Sequence, residues 1–524
     1  MTVTGRAIAR AGLVVTAAFF ASRVLGWLRL AIIGTQFGAS PELDAYFAAF
    51  RIPDAIFQFV AAGALASALI PVLTGLLTAG EDARAWRVVS TVANLMLLAL
   101  LVLAGAFALA APVLMPAITP GFDAAQTART VELTRIMLLS PVFLALGAVA
   151  TSVLNTLGRF GASALAPIVY NLGIIAGAVF LAPRMGVSGL AVGVVLGAIG
   201  HLAVQVPPLR GRMRYAAAID PADPAARQTF LLLVPRTIGL AAGQITFLVN
   251  TSFASGLASG AITAYNVAFT ALQIPIGLIG VPLGVVLLPS MAQAIAGGAT
   301  ARFADLVLRS LRLIAFVMLP LTGLMMVLRR EGVALLFESG RFDAKAVELT
   351  ADALLVFLVG LSAHAMIAIL APAFYAGKDT RTPVLAAILA VGVNVAIAAL
   401  TVGPLGLRGL ALAIAAGAWL EVGVLLVLLR RRAPEVALGR LARGTTVFAG
   451  GALLAAGVAL LAARLLDPLL APGAGKAALL VGLALAGAAA TATYVAYAAV
   501  LRIPELPALA SLLHDALGRR KGPA

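Results

Sequence analysis

The chain has 524 residues, of which 62% are hydrophobic and only 11% are charged, and its formal net charge is +16. An ordinary soluble domain carries about 25% charged residues. A mean hydropathy of +1.07 therefore excludes that class and predicts a protein with many membrane spans. The chain has no cysteine, which excludes disulfides and cysteine-based metal sites, and its three histidines give little room for zinc. We expect no metal and no cofactor.

The first predicted element is a membrane helix that is retained in the mature protein. The N-terminus, MTVTGRAIARAG (1–12), carries two arginines and leads into an apolar run that is too long for the core of a signal peptide. This run also lacks an A-x-A cleavage site followed by polar sequence.

Hydropathy predicts fourteen spans along the chain, because each span needs roughly 20 mostly apolar residues. The runs lie at 12–36, 45–77, 88–112, 132–156, 162–182, 187–208, 228–251, 260–292, 308–328, 349–375, 382–402, 407–429, 444–466 and 477–501. The runs 45–77 and 260–292 are long and contain internal proline and glycine, so we expect them to be bent or broken.

The distribution of positive charge predicts the orientation. With a cytoplasmic N-terminus, 23 of the 37 lysines and arginines fall in inner loops, 9 fall in outer loops and 5 lie within spans. This bias follows the positive-inside rule and predicts that both termini are cytoplasmic. It also accounts for the net charge, so we expect no nucleic-acid partner, although a basic soluble protein would suggest one.

Short motifs repeat at an offset of roughly 220 residues. FRIPDAI (50–56) recurs as LQIPIGL (272–278), LIPVL (69–73) as LLPSM (287–291), and MGVSGLAVG (185–193) as LGLRGLALA (405–413). Internal repeats are typical of transporters whose substrate site lies between the halves. We predict an all-α polytopic fold with three parts: two pseudo-symmetric six-helix halves and a final part of two further helices with a short tail. Their boundaries are 1–214, 215–435 and 436–524.

Charges inside the first two apolar runs are the strongest functional signal. Arg23, Arg29 and Arg51 lie within apolar sequence, and Asp44 stands where the second run begins. Ionisable groups in a bilayer are costly and normally face a protein interior or a water-filled cavity. The pattern indicates a cavity for an anionic substrate. The chain has no Walker A sequence, so ATP hydrolysis by that route is not expected.

Six segments resemble one known family over nearly the whole chain. They are SRVLGWLR (22–29), FGASPELDAYFAAFRIP (37–53), NTLGRFGASALAPIVYN (155–171), QIPIGLIGVPLGVVLLPS (273–290), LFESGRF (336–342) and AFYAGKDTRTPV (373–384). The family is the MurJ/MviN lipid II flippases of the MOP exporter superfamily, related in fold to MATE transporters. The SRVLG-x-x-R and FYA-x-x-DT-x-TP matches are the specific ones.

The resemblance implies a multi-pass protein of the bacterial inner membrane that is not an enzyme. It would translocate lipid II, the undecaprenyl-pyrophosphate-linked peptidoglycan precursor, by alternating access of its halves. It would serve peptidoglycan synthesis and so cell-wall biogenesis and cell shape. Cell-wall synthesis proteins are further candidate partners, and a monomer is expected.

Arg23 and Arg29 match the family's cavity arginines and are the first candidates for the headgroup site. Guanidinium groups bind phosphate oxygens in a bidentate manner. The alternative interpretation is snorkelling to the interface or a structural ion pair.

Asp44, Arg51 and Gln58 follow at seven-residue steps along one seam of the second helix, which Pro53 should kink. The seam either lines the cavity or forms a latch. For Asp44, capping of its own helix is an equal alternative.

The chain departs from the family at several cavity positions. Where the family often carries two arginines and then an acidic residue, this chain has Phe57, Gln58 and Ala62. On the eighth helix, Thr270 and Gln273 stand where the family often has an arginine and a Glu or Gln. Arg236 is a candidate replacement for the missing charge.

His201 and Glu421 lie 220 residues apart and occupy equivalent mid-span positions in the two halves. An ionised Glu421 would need a partner or would stay protonated, which makes it a candidate for proton coupling. His201 is either a second coupling residue or a hydrogen-bonded core residue.

Two other functional classes stay open at this point. A MATE-like drug exporter would need cavity carboxylates without dominant arginines, and another lipid-linked oligosaccharide is an alternative substrate. A non-transporting cell-wall scaffold would be favoured by a long cytoplasmic tail, but only about 23 residues follow the last predicted span.

Overall fold

The computed structural model describes residues 5–60, 64–471 and 473–517, and leaves the side chains of 5–14, 16, 60, 64, 234–242 and 512–517 undescribed. In these ranges the regular secondary structure is helical, and β-pairing is limited to an isolated bridge between Ser339 and Phe342. The chain divides into two compact units. The first comprises Met1–Thr263 with Ser339–Phe342, and the second comprises Ala264–Glu338 and Asp343–Ala524.

The first unit contains ten helices within its described residues, and an eleventh begins at its end. They are α1 (Gly5–Phe37), α2 (Pro41–Val60), α3 (Ala64–Thr78), α4 (Asp82–Ile118), α5 (Ala124–Met137), α6 (Ser140–Thr156), α7 (Phe160–Ala176), α8 (Ala182–Met185), α9 (Val187–Ala203), α10 (Pro224–Ser255) and α11 (Ala261–Pro275). A π-helical turn, Gly177–Leu181, joins α7 to α8, and a 3₁₀ turn, Pro207–Leu209, follows α9.

The second unit continues α11 and adds eleven helices within the described residues. They are α12 (Val281–Ala296), α13 (Thr300–Val327), α14 (Arg329–Phe337), α15 (Ala344–Phe357), α16 (Leu361–Ala376), α17 (Arg381–Leu405), α18 (Leu407–Arg432), α19 (Leu438–Leu465), α20 (Asp467–Leu470), α21 (Lys476–Val500) and α22 (Glu505–Leu517). A π-helical turn, Ile276–Gly280, joins α11 to α12, and a 3₁₀ turn, Leu358–Gly360, joins α15 to α16.

The predicted all-α multi-pass architecture is confirmed. Among the described residues, twelve helical segments are long and apolar enough to cross a membrane, and all twelve coincide with predicted spans. The other two predicted spans correspond to α2 with α3, on either side of 61–63, and to α10. The short helices α14, α20 and α22 were not predicted from the sequence, because each is shorter than a membrane span.

The long run 260–292 is interrupted as expected. Helix α11 ends at Pro275, and the π-helical turn Ile276–Gly280 precedes α12. Proline has no N–H to continue the α-helical hydrogen bonds, and single π-turns are a common way to accommodate such a break. In the other long run, α2 continues through Pro53.

The internal repeat has a local structural basis at the starts of α9 and α18. Gly186 and Gly406 precede these helices and adopt nearly the same backbone conformation, with φ of 59° and 56° and ψ of −145° and −132°. Each carbonyl accepts a hydrogen bond of 3.0 Å from the N–H three residues later, at Gly189 and Gly409. Only glycine adopts this backbone conformation readily, so the MGVSG and LGLRG motifs encode the same turn.

Two aspartates that cap helices, Asp123 and Asp343, are also separated by 220 residues. The Asp123 carboxylate accepts a hydrogen bond from the Gln126 N–H at 2.7 Å, and the Asp343 carboxylate accepts one from the Ala346 N–H at 2.9 Å. Both aspartates have the extended backbone that is typical of an N-cap. The caps lie before α5 and α15, so the repeat extends to positions that the sequence motifs did not include.

The first compact unit extends further along the chain than the predicted first half, which ends at residue 214. Helix α10 packs against α2, α3 and α4 and belongs to the first unit, which ends at Thr263. The repeat boundaries at 214 and 435 describe sequence similarity rather than compact units, and they stay a prediction.

Glycines allow the backbones of α7 and α9 to approach each other closely. A Cβ atom added at Gly173 would lie 2.3 Å from the Gly197 Cα, and one added at Gly177 would lie 2.6 Å from the Gly193 Cα. Small residues four apart are the usual means of close helix packing in membranes. Helices α7 and α9 are therefore a tightly packed support for α1, which packs on α7.

Prolines inside the spans leave carbonyl groups without their helical donors, and in three cases a side chain of another helix lies within hydrogen-bond distance of such a carbonyl. Pro112 removes the donor for the Ala108 carbonyl, which instead accepts from Arg135 Nε at 2.9 Å. This contact explains one of the five cations within spans. The Ala49 carbonyl, orphaned by Pro53, lies 3.4 Å from the Thr134 hydroxyl, whose shorter hydrogen bond of 2.8 Å goes to the Thr130 carbonyl of its own helix. In membranes such internal compensation is required, because lipid offers no donor.

The third orphaned carbonyl lies on α13 and is bonded by α21, one of the two additional membrane helices α19 and α21. Pro320 orphans the Phe316 carbonyl, which accepts a hydrogen bond of 2.8 Å from the buried Tyr494 hydroxyl of α21. The Phe316 ring also packs on the Phe448 and Tyr494 rings, with centroids 5.4 Å and 5.1 Å away.

We expect Tyr494→Phe to destabilise the folded protein by about 1–3 kcal/mol, because it leaves the Phe316 carbonyl unpaired while keeping the ring contacts. The thermal unfolding midpoint in detergent measures the effect. Tyr497→Phe is the matched control, since the Val447 carbonyl that Tyr497 binds at 3.0 Å keeps its own helical donor. An equal loss in both variants would contradict the explanation.

A loop between spans in the second unit is organised by Asp379. Its carboxylate accepts hydrogen bonds from the Thr382 N–H and hydroxyl, at 3.0 Å and 2.6 Å, and pairs with Arg432, whose guanidinium lies over the Phe374 ring. Burial opposes ionisation of Asp379, but the hydrogen bonds from Thr382 and Arg432 prevail and lower its pKa to about 2. The specific FYA-x-x-DT-x-TP motif thus encodes a folded turn.

This pKa shift predicts a pH dependence of stability. Because the folded-state pKa lies below the usual value of 3.8, the stabilisation is present above that value and is lost as the pH falls toward about 2. Unfolding midpoints measured across this range should fall less steeply for Asp379→Asn than for the wild-type protein. Parallel curves for the two proteins would show that Asp379 is not stabilised as an anion.

Candidate functional site

Helix α1 carries the two candidate headgroup arginines. The Arg23 side chain is exposed, and its guanidinium lies over the Phe19 ring one turn earlier, 5.1 Å from the centroid. At the same level, the Asn171 amide of α7 donates to the Ser22 carbonyl at 3.4 Å. The position of Arg23 is therefore set by the packing of α1 on α7, while its charged end remains accessible.

Arg29 is half-buried and lies near groups from two other helices, α2 and α7. Its charge acts on Tyr46 and Asp54 of α2 and on Tyr170 of α7. That Arg29 contacts the headgroup stays a prediction.

Arg51 is 9% exposed and is held by two side chains of α10. Its Nε donates to the Thr251 hydroxyl at 2.9 Å, and its guanidinium lies over the Phe247 ring, 5.1 Å from the centroid. These contacts satisfy part of the guanidinium and fix its direction. Arg51 is thus a positioned cation.

Asp54 was missed by the sequence analysis, which followed the seven-residue seam of Asp44, Arg51 and Gln58. Asp54 lies three residues after Arg51 and four before Gln58, so all three share one side of α2. The Gln58 side chain interacts with its carboxylate, and Arg51 and Arg29 act on it as neighbouring cations. The available signal was a carboxylate directly after Pro53 inside an apolar run.

Asp44 is 3% exposed and caps a helix other than its own. Its carboxylate accepts three hydrogen bonds of 2.7 Å, from the Gly260 N–H, the Thr263 N–H and the Thr263 hydroxyl. These donors belong to the first turn of α11 and the residue before it. The N-terminus of a helix offers unpaired N–H groups and a positive dipole end, which a carboxylate satisfies.

The end of α1 that follows the arginines is held by a four-residue segment, Ser339–Phe342. The Arg341 N–H donates to the Thr35 carbonyl at 2.8 Å, and the ring of the fully buried Phe342 packs on Gly34. A Cβ atom added at Gly38, whose φ is +65°, would lie 2.2 Å from the Arg341 carbonyl oxygen. The LFESGRF motif therefore encodes a support for the arginine-bearing helix.

The remaining predicted cavity residues lie in different surroundings. In the first unit Phe57 is half-buried on α2. In the second unit the Thr270 hydroxyl donates to the Asn266 carbonyl of its own helix at 2.7 Å, and Gln273 is exposed. Ala62 and the Arg236 side chain lie outside the described residues.

His201 and Glu421, the two candidate coupling residues, have unlike environments. His201 packs against Gly147, where an added Cβ would lie 2.3 Å from its Nδ1, and Gln205 links the His201 carbonyl to the Thr151 hydroxyl. Glu421 is half-buried on α18 and acts electrostatically on Tyr375 of α16. The surroundings of His201 are those of a packed core residue.

The long apolar helices and the internal repeat define a multi-pass membrane protein with the fold of the MOP superfamily. A multidrug resistance MATE transporter of that superfamily in an inward-facing conformation has a TM-score of 0.68 at 16% identity, covering 79% of this chain and 95% of the transporter. The profile of the family described as lipid II flippase MurJ matches residues 33–481. The chain therefore belongs to the lipid II flippase MurJ family.

Relatives and solved structures agree with this assignment. The lipid II flippase MurJ of Burkholderia cenocepacia is 34% identical over 433 residues, covering 81% of this chain and 84% of the relative. A probable lipid II flippase MurJ of Rhizobium tropici is 32% identical and covers 86% of each chain. The structure of a lipid II flippase MurJ in an inward closed conformation has a TM-score of 0.77 at 21% identity, covering 97% of this chain and all of that one.

Proposed function

We propose that the protein translocates lipid II across the bacterial inner membrane, with both termini in the cytoplasm. The observation that carries this proposal is the arrangement of Arg29, Arg51 and Asp54 in a chain of the MurJ family. Two guanidinium groups and one carboxylate leave a net positive region, and a pyrophosphate group supplies the missing negative charge. The chain acts without covalent chemistry and as a monomer, beside cell-wall synthesis proteins.

In this proposal Arg23 makes the first contact with the headgroup, because its charged end is exposed. Arg29 then binds the pyrophosphate through its planar fork of N–H donors. Arg51 adds positive charge at a fixed position set by Thr251 and Phe247. Gln58 orients Asp54, which is the counter-ion of the cluster when no substrate is bound. Arg236, Thr270 and Gln273 are proposed as further contacts of the headgroup.

Transport of a charged headgroup also responds to the membrane potential. Each elementary charge that moves across the membrane contributes about 2.3 kcal/mol per 100 mV. Glu421 is the proposed coupling residue because it is half-buried on α18 without an ion pair in the described part of the chain. His201 is the weaker candidate, given its packing against Gly147.

Complementation tests the proposed substrate. The wild-type gene should restore growth and cell shape to a bacterial strain depleted of its own lipid II flippase. Purified protein in liposomes should also move fluorescent lipid II between leaflets. Failure to restore growth despite normal membrane levels of the protein, together with no movement of lipid II in liposomes, would reject this substrate. Movement of a different undecaprenyl-pyrophosphate oligosaccharide would then identify the alternative.

A further inference from the structure

We propose that α22 is a surface helix that docks onto anionic phospholipid at the membrane face where α21 ends. This role is independent of the translocated substrate. Helix α22 has 13 residues, too few to cross a bilayer, and only residues 501–504 separate it from the span α21. It is thereby kept at the membrane surface. In the sequence of α22 four leucines recur at the spacing of an amphipathic helix, which predicts an apolar stripe: Leu506, Leu509, Leu513 and Leu517.

A buried ion pair fixes the start of α22 to the rest of the second unit. Glu505 is 8% exposed, and its carboxylate accepts a hydrogen bond of 2.5 Å from Arg312 Nε of α13. Arg312 also donates to the Arg440 carbonyl of α19 at 3.2 Å, and its guanidinium lies over the Phe448 ring. The helix therefore leaves the protein at a defined point beside α13 and α19.

Exposed cations surround this point. Arg440 and Arg443 on α19 and Arg502 before α22 are all exposed, and Arg309 lies one turn from Arg312 on α13. Only Arg309 has a carboxylate partner among the described residues, Asp305 at 2.8 Å.

The sequence that follows α22 adds three further cations, Arg519, Arg520 and Lys521. A short amphipathic helix among basic residues has the pattern of an interfacial helix, and juxtamembrane cations are attracted to anionic lipid. An apolar stripe combined with positive charge favours this partner over an acidic protein surface, which would not need the leucines.

The chain lacks cysteine, so single labelled cysteines test the proposal directly. Leu509→Cys places an environment-sensitive fluorophore on the leucine stripe, and Ser511→Cys places one on the opposite, exposed side. The protein is reconstituted into vesicles of phosphatidylcholine alone or of phosphatidylcholine with phosphatidylglycerol. We expect the emission at position 509 to shift to the blue only with phosphatidylglycerol, the shift to be reversed by salt, and the emission at 511 to stay unchanged.

Replacing Arg519, Arg520 and Lys521 by glutamine should weaken docking about a hundredfold, since each cation near an anionic surface contributes about fivefold. Glu505→Gln should reduce the shift at position 509 by releasing the helix start. Arg464→Gln, at the other end of α19, is the matched control and should change nothing. Equal emission at 509 in both kinds of vesicle would overturn the proposal, because it would show that the position of α22 does not depend on anionic phospholipid. An effect of Arg464→Gln equal to that of the triple variant would also overturn it.

Discussion

Asp44→Ala should cost the folded protein about 3–5 kcal/mol and should prevent accumulation of the protein in the membrane at elevated temperature. The substitution leaves two backbone N–H groups, at Gly260 and Thr263, and one hydroxyl without an acceptor in a buried position. It also removes a negative charge from the positive end of α11. The measurement is the apparent unfolding midpoint in detergent, compared with the wild-type protein.

Two variants separate this role from ordinary capping and from substrate binding. Asp44→Asn keeps an acceptor oxygen and should lose less stability than Asp44→Ala. Asp123→Ala removes a single exposed cap bond to Gln126 and should cost about 1 kcal/mol. If Asp44→Ala were as stable as wild type but failed in transport, Asp44 would be a substrate ligand rather than the cap of α11.

Local sequence was sufficient for the membrane helices because hydropathy and helix length are local properties. The predicted runs 407–429 and 477–501 differ from α18 and α21 by only a few residues at each end. The motif MGVSG predicted its repeat correctly, since the turn at Gly186 depends on its own backbone conformation. Short helices such as α14 were not predicted, because they are stabilised by packing against other helices rather than by a membrane-length apolar run.

Contacts between distant segments could not be derived from the sequence. Asp44 was considered as a cap of its own helix, but its partners lie more than 200 residues later, at Gly260 and Thr263. Arg135 was counted only as a cation within a span, although the orphaned carbonyl of Ala108 could have been inferred from Pro112. The fold decides which donors and acceptors meet, and the sequence shows only which groups need a partner.

The charged seam of α2 illustrates the same limit within a single helix. The seven-residue spacing connected Arg51 to Gln58 and passed over Asp54, which lies between them on the same side. Residue spacing identifies which residues share one side of α2. It does not show which of them lies near Arg29 of α1. Since Arg29 of α1 acts on Asp54, the carboxylate belongs to the arginine cluster.

Arg29→Ala should reduce the rate of lipid II movement in liposomes about thirtyfold, because a charge-assisted hydrogen-bond pair to phosphate contributes about 2 kcal/mol. Arg29→Lys should fall between the alanine variant and wild type, since lysine retains the charge but lacks the planar fork. Asp54→Asn combined with Arg29→Ala should recover part of the loss. The double variant restores the net charge that the cluster has when both residues are present.

Arg87→Ala is the matched control for this prediction. Arg87 is an exposed arginine of α4, and its removal should leave the rate of lipid II movement unchanged. Equal unfolding midpoints of Arg29→Ala and wild type would show that the loss arises in transport and not in folding. If Arg29→Ala transports lipid II at the wild-type rate, the cluster of Arg29, Arg51 and Asp54 is structural and the headgroup is bound elsewhere.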